Sequence, residues 1–205
     1  MRPPTRHDVA RLIVERDALF APLVDRVGPP PARRPVQVAE RFPALARTIT
    51  FQLLATKAAS TIHGRVIEAC AFEITPSSVL RAGHDRLRAV GLSNAKAAAM
   101  IALATATRSG QINLDLHGRM PDGDVADEIT AIRGLGPWSA QMYLMNALGR
   151  RDVWPVGDYG VRAGWSRLHG LHETIDERTL RAAGDAFAGH RSALAWYCWR
   201  ALESS

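Results

Sequence analysis

The stretch Gly134-Leu135-Gly136 is followed at once by Pro137, a residue that is favoured at the first position of a helix. Glycine accepts positive φ angles and lets another backbone come close. The amides of such a turn, at the start of a helix, point outward and can hold a phosphate. An ordinary αα-hairpin with a glycine cap has the same pattern, so this turn alone leaves both interpretations open.

Asp158 follows further along the chain, in the stretch Val156-Gly157-Asp158-Tyr159. Aspartate is a favoured N-cap, and the pattern predicts a helix over Tyr159–Leu168 directly after it. The start of a helix stabilises an ionised carboxylate. A fixed negative charge can in turn stabilise positive charge that develops in a transition state. The capping role and a catalytic role are therefore compatible.

The elements that must position these residues are predicted to be helices. Apolar residues recur at helical spacing almost from end to end, and no alternation typical of strands occurs. Asp8 is expected to cap a first helix, and Pro29–Pro35 is typical of a linker. Pro137 is expected to begin a helix that reaches Leu148. The predicted fold class is all-α.

Composition narrows the function classes. The formal net charge is +6, and the basic residues are almost all arginine, because lysine occurs only at Lys57 and Lys96. An arginine excess suits a polyanionic partner, although a solvated surface encoded by a GC-rich genome explains it equally well. Cys70 and Cys198 form no CxxC pair, so no zinc or iron–sulfur site is expected. The N-terminus lacks a signal-peptide pattern, which favours a cytoplasmic protein.

A glycine hairpin, a helix, a loop and an aspartate that opens another helix together resemble the helix–hairpin–helix DNA glycosylases. Within that superfamily the chain resembles the DNA-3-methyladenine glycosylase II family, from about Phe42 to the C-terminus. The resemblance implies two helical lobes with the active site in the cleft. Residues 41–205 are expected to form this core. Residues 1–40, a helical segment with a Pro-rich linker, are expected to pack on it, and they are too few for the N-terminal β-domain of many members.

The resemblance implies that Asp158 is the catalytic carboxylate. Base excision creates an oxocarbenium-like sugar, which the carboxylate would stabilise while it orients the attacking water. Relatives that also cleave the DNA backbone carry a lysine at the position of Trp138, and this lysine forms a Schiff base. We therefore expect hydrolysis alone, without a lyase step.

The resemblance also assigns a base pocket to Trp138, Trp199 and Met142. An alkylated purine carries a positive charge, and electron-rich indole faces attract cations. Aromatic residues on a terminal helix are otherwise ordinary core residues, which is the preferred interpretation for Trp196, whereas the resemblance favours the pocket for Trp138 and Trp199.

The predicted DNA contacts include the hairpin residues Gly134, Gly136 and Ser139. Gln52 and Leu53 stand where the family places a wedge that fills the gap left by the flipped nucleotide. Many members have a second glutamine and then a serine there, where this chain has Leu53 and Ala55, so Leu53 as a core residue is an equal alternative. Lys96 stands where relatives often place a basic residue near DNA, and a solvated surface lysine explains it equally well.

Together, these expectations predict a monofunctional glycosylase that removes alkylated purines, such as 3-methyladenine and 7-methylguanine, from double-stranded DNA. We expect a nucleoid-associated monomer that needs no cofactor, metal or membrane. His63, His84 and His117 show no metal-ligand spacing and are expected at the surface or at caps. Two alternatives remain: a glycosylase of the same fold for deaminated or etheno bases, and a DNA-binding protein without turnover.

Overall fold

The computed structural model describes residues 4–203, and the regular structure in this range is helical throughout, with no strand. The all-α prediction is therefore confirmed. No helix among the described residues combines the length and the apolar character that a membrane span requires. The α-helices are α1 (Arg6–Arg16), α2 (Ala21–Val27), α3 (Val38–Phe51), α4 (Thr56–Ala69), α5 (Pro76–Ala89), α6 (Asn94–Ser109), α7 (Asp122–Thr130), α8 (Pro137–Asn146), α9 (Tyr159–Leu168), α10 (Glu177–Ala183) and α11 (Arg191–Leu202).

The chain divides into two compact units. The first unit comprises the described residues up to Arg34 together with those from Arg150 onward, and it therefore contains α1, α2 and α9 to α11. The second unit runs from Pro35 to Gly149 and contains α3 to α8.

The core of the first unit is built around a buried aromatic cluster. The ring of Phe20 is fully buried and packs against Trp165, Phe187 and Tyr197, with ring centroids 5.9 to 6.4 Å apart. Tilted and edge-on aromatic pairs of this kind contribute about 0.5–1.5 kcal/mol each beyond their buried area. This cluster fixes α9 and α11 through Trp165 and Tyr197, which lie on those two helices.

The second unit is organised around α6, which buries a face rich in alanine. Ala97, Met100, Leu103 and Ala104 are all inaccessible to solvent. Side chains this small let neighbouring elements pack close to the helix axis. Helices α7 and α8 form the predicted hairpin, joined by residues 131–136.

Helix ends show where the sequence predictions hold. Helix α8 begins at Pro137, as predicted, and ends at Asn146 rather than Leu148. The first helix is capped by Thr5, so the prediction of Asp8 as its cap is wrong. Asp8 is instead the third residue of the helix, and its carboxylate accepts a hydrogen bond from the Thr5 amide at 2.9 Å. The two residues form a reciprocal capping box.

His117 joins the two helices of the hairpin from inside the second unit. Its Nε2 lies 2.9 Å from the Glu128 carboxylate on α7, and its Nδ1 lies 3.2 Å from the Tyr143 hydroxyl on α8. Burial raises the pKa of Tyr143, so the phenol stays protonated and can donate to Nδ1. The imidazole is fully buried, and the expectation of a surface or capping histidine is therefore wrong for His117.

We expect His117→Phe to destabilise the protein by about 1–3 kcal/mol, because it leaves the buried Tyr143 hydroxyl without its partner and removes a hydrogen bond to Glu128. Urea unfolding followed by circular dichroism measures this. The control is His84→Phe, where a side chain 39% exposed is replaced and a change within about 0.5 kcal/mol is expected. An equal effect of both substitutions would contradict the bridging role.

Candidate active site and nucleic-acid interface

Asp158 is the N-cap of α9, as the sequence predicts. Its Oδ1 accepts a hydrogen bond from the Val161 amide at 2.8 Å, which closes the first turn of the helix. The same oxygen accepts a second hydrogen bond, from the indole Nε1–H of Trp199 on α11, at 2.9 Å. Both N–H groups bind a carboxylate most strongly when it is ionised. The side chain of Asp158 is therefore held in one orientation from two directions.

Two glycines on α9 make the Trp199 contact possible. A Cβ on Gly160 would lie 3.0 Å from Cδ1 of Trp199 and 3.1 Å from Oδ1 of Asp158, inside the space that the hydrogen bond occupies. A Cβ on Gly164 would collide with the backbone carbonyl of Cys198 on α11. Residues four apart lie on one face of a helix. Gly160 and Gly164 therefore leave the face of α9 that contacts α11 without side chains at these two positions.

Gly160 and Gly164 belong to the site, although the sequence predictions do not include them. The signal that points to them is the Gly-x-x-x-Gly spacing that begins two residues after Asp158. Glycine inside a helix costs about 0.5–1 kcal/mol relative to alanine, so two of them one turn apart indicate a close helix contact.

The two glycines of the hairpin turn have different roles. Gly134 has a φ of +90°, and a Cβ there would lie only 2.5 Å from the Cβ of Ala99 on α6, so the fold itself requires glycine. Gly136 has a φ of −109°, and a Cβ there would have no atom within 4 Å. Internal packing therefore does not explain Gly136, and its open side leaves room for another molecule to approach the start of α8.

Gln52 ties the end of α3 to this turn. Its amide nitrogen donates to the Gly134 carbonyl at 3.1 Å and to the Ser139 hydroxyl at 2.9 Å. Ser139 is buried on the first turn of α8. The structure therefore brings together three of the predicted DNA-binding residues, Gln52, Gly134 and Ser139.

Leu53 directly follows Gln52 in the chain, and its side chain is fully exposed, at 103% relative accessibility. Its φ of +53° is unusual for a residue with a Cβ and costs about 1–2 kcal/mol. The alternative of Leu53 as a core residue is therefore wrong. The loop presents an apolar side chain to solvent at a cost in backbone strain.

Lys96 lies close to the same loop. Its ammonium group donates to the backbone carbonyl of Thr50, near the C-terminus of α3, at 2.9 Å. The side chain is half-buried, and this burial lowers the pKa of Lys96. The alternative of a freely solvated surface lysine is therefore wrong.

Two of the three residues predicted to bind the base lie on α8. Trp138 is half-buried and Met142 is buried, and the spacing of four residues puts them on the same face of the helix. The third such residue, Trp199, is half-buried on α11, which belongs to the first unit. Across residues 4–203 no group of three or more His, Cys, Asp or Glu side chains is arranged to hold a metal ion.

Comparison with known proteins gives a match over most of the chain. The profile of the HhH-GPD superfamily base excision DNA repair proteins matches residues 46–187. DNA-3-methyladenine glycosylase 1 of Schizosaccharomyces pombe is 30% identical over 181 residues, which cover 87% of this chain and 79% of the relative.

Solved structures give a similar result. The S. pombe 3-methyladenine DNA glycosylase Mag1, in complex with abasic DNA, superposes with a TM-score of 0.87 at 28% identity, covering 93% of this chain and 94% of that one. A DNA-3-methyladenine glycosidase from Bacillus halodurans gives a TM-score of 0.76 at 29% identity, covering 98% and 92%.

The contrast between the two hairpin glycines gives a test. We expect Gly134→Ala to lower the free energy of unfolding by more than about 1 kcal/mol, because it adds both left-handed strain and a clash. Gly136→Ala should leave stability within about 0.5 kcal/mol but weaken duplex binding about tenfold, the equivalent of one lost phosphate hydrogen bond. Chemical unfolding and fluorescence anisotropy with a labelled duplex measure the two effects. Unchanged duplex affinity in Gly136→Ala would exclude a close approach of DNA to this turn.

Proposed function

The chain belongs to the HhH-GPD superfamily of base excision DNA repair proteins, and on this basis we propose that it is a monofunctional DNA glycosylase. Its substrates are alkylated purines of the 3-methyladenine and 7-methylguanine type in duplex DNA. It hydrolyses the N-glycosidic bond of the flipped nucleotide and leaves an abasic site in an intact strand.

The observation that supports this proposal most directly is the geometry of Asp158. A carboxylate at the start of α9, held by Val161 and Trp199, is a fixed negative charge that needs no rearrangement during the reaction. Such a preorganised charge stabilises a cationic transition state more than the neutral sugar of the ground state.

The proposed reaction uses this charge at C1′. A purine alkylated at N3 or N7 is cationic, so it leaves as a neutral base when the bond from C1′ to the base nitrogen breaks. The positive charge that develops on the sugar is stabilised by Asp158. A water oxygen then forms the new bond to C1′, and its proton passes to the carboxylate, which acts as a general base.

No lyase step accompanies this reaction in our proposal. A Schiff base requires an amine that attacks C1′, and position 138 is a tryptophan. We propose that the cationic base binds to the indole faces of Trp138 and Trp199 and to Met142. Cation–π attraction contributes about 0.5–2 kcal/mol there and favours alkylated over normal purines.

The proposed DNA contacts lie in the second unit. The start of α8 at Gly136 and Pro137 carries no capping side chain, and the positive end of the helix dipole suits a backbone phosphate. Leu53 is the proposed wedge, because a fully exposed apolar side chain can fill the gap in the base stack after flipping. The partner is duplex DNA, which the protein binds as a monomer in the cytoplasm, at the nucleoid.

The first test replaces Asp158 by Asn. Asparagine is an equally good N-cap, so the fold should be retained, whereas excision should fall by at least about 100-fold because the charge is lost. The measurement is release of free base from methylated duplex DNA, with strand breaks scored before and after alkali. Wild type should release alkylated purines and give breaks only after alkali.

The matched control is Asp176→Asn. Asp176 caps α10 in the same way, accepting from the Arg178 and Thr179 amides, and it is exposed. Its substitution should leave excision unchanged. Strand breaks without alkali would overturn the monofunctional assignment, and binding without any base release would favour a DNA-binding protein that lacks turnover.

The second test separates the two roles of Trp199. Trp199→Phe keeps an aromatic face but removes the N–H that binds Asp158. A hydrogen bond to a charged group contributes about 1.5–3 kcal/mol, so the single-turnover rate should fall about 10- to 100-fold. Trp196→Phe, on the same helix, is the control and should retain the wild-type rate. If Trp199→Phe also retained that rate, the hydrogen bond would have no part in catalysis.

A further inference from the structure

Lys96 occupies a position that its own helix disfavours. It is the third residue of α6, and its backbone amide binds the hydroxyl of the capping residue Ser93. The start of a helix carries a partial positive charge, so a lysine in the first turn is repelled by it. The requirements of α6 therefore do not explain this residue.

The same lysine is well placed for another helix. Its Nζ binds the carbonyl of Thr50, next to the last residue of α3, where backbone carbonyls have no partner within the helix and the dipole is negative. The contact is half-buried, so solvent screens it less than a surface ion pair. Lys96 is thus a cationic cap on the C-terminus of α3, supplied by α6.

The capped end of α3 leads directly into Leu53. Leu53 is the third residue after Thr50, and Gln52 between them is bound to Gly134 and Ser139. The left-handed conformation of Leu53 is strained, and strained residues persist only where their surroundings hold them. Two anchors, Lys96 before the exposed leucine and Gln52 beside it, provide that restraint.

We propose that Lys96 is a positioning residue for base flipping, which holds the end of α3 so that Leu53 is presented to the DNA base stack. This inference rests on the proposed function, in which Leu53 is the wedge. Lys96 acts through the Thr50 carbonyl and Leu53, and not by neutralising a DNA phosphate.

The first experiment distinguishes positioning from phosphate contact through the salt dependence of duplex affinity. Loss of one phosphate contact lowers the slope of log K against log salt by about 0.9. We expect Lys96→Met to keep the wild-type slope. The matched control is Lys57→Met, which removes the only other lysine, exposed on the first turn of α4. A slope lowered by about 0.9 in Lys96→Met alone would overturn the proposal.

The second experiment is a double-mutant cycle with Leu53→Ala, measured as single-turnover excision. Lys96→Met should slow excision about tenfold in the wild-type background and less than twofold in the Leu53→Ala background, because the side chain being positioned is then absent. An equal loss in both backgrounds would overturn the proposal. General destabilisation would produce that same equal loss and therefore counts against it.

The third experiment measures insertion of Leu53 into the base stack independently of base excision. A 2-aminopurine placed beside an abasic site in a duplex brightens when the base stack is opened. Wild type and Lys57→Met should give the full increase, and Lys96→Met a smaller one. If wild type released no base from any alkylated duplex, the proposed function would fail, whereas this fluorescence would still decide the role of Lys96. Equal increases in wild type and Lys96→Met would overturn the positioning role.

Discussion

Two glycines on α9 set how near α11 can come, and the candidate catalytic group depends on that distance. A side chain at Gly164 would meet the backbone of α11 at Cys198, and one at Gly160 would enter the space of the Trp199 indole. Either would move the helices apart, and an N–H···O contact is no longer a hydrogen bond at about 3.6 Å. The 2.9 Å hydrogen bond between Trp199 and Asp158 therefore depends on the absence of side chains at Gly160 and Gly164.

In the second unit, small residues again determine where functional groups lie. Gly134 fits only because Ala99 on α6 is itself small, and the carbonyl of Gly134 then receives Gln52. His117 holds α7 and α8 together from within. Hydrogen bonds thus connect the hairpin turn, the end of α3 and the start of α6 next to the exposed Leu53.

Local patterns predicted the parts of the site that are local. The starts of α8 at a proline and of α9 after an aspartate follow from rules about helix ends. The comparisons confirm the family that the sequence resembles. The contacts of Trp199 and Lys96 could not be predicted in this way, because each joins residues about 40 or more positions apart. The burial of His117 was missed for a related reason, because its partners lie 11 and 26 positions away on two different helices.

The fold does not explain why residue 158 carries a charge. Asparagine and serine cap a helix about as well as aspartate, so the start of α9 does not require an ionised group. A negative charge on a DNA-binding protein also weakens its affinity for phosphates. The structure nevertheless gives this carboxylate a second donor, from Trp199, and keeps Gly160 free of a side chain to admit it. A charge that folding does not need and DNA binding opposes supports the proposal that Asp158 stabilises the cationic transition state at C1′.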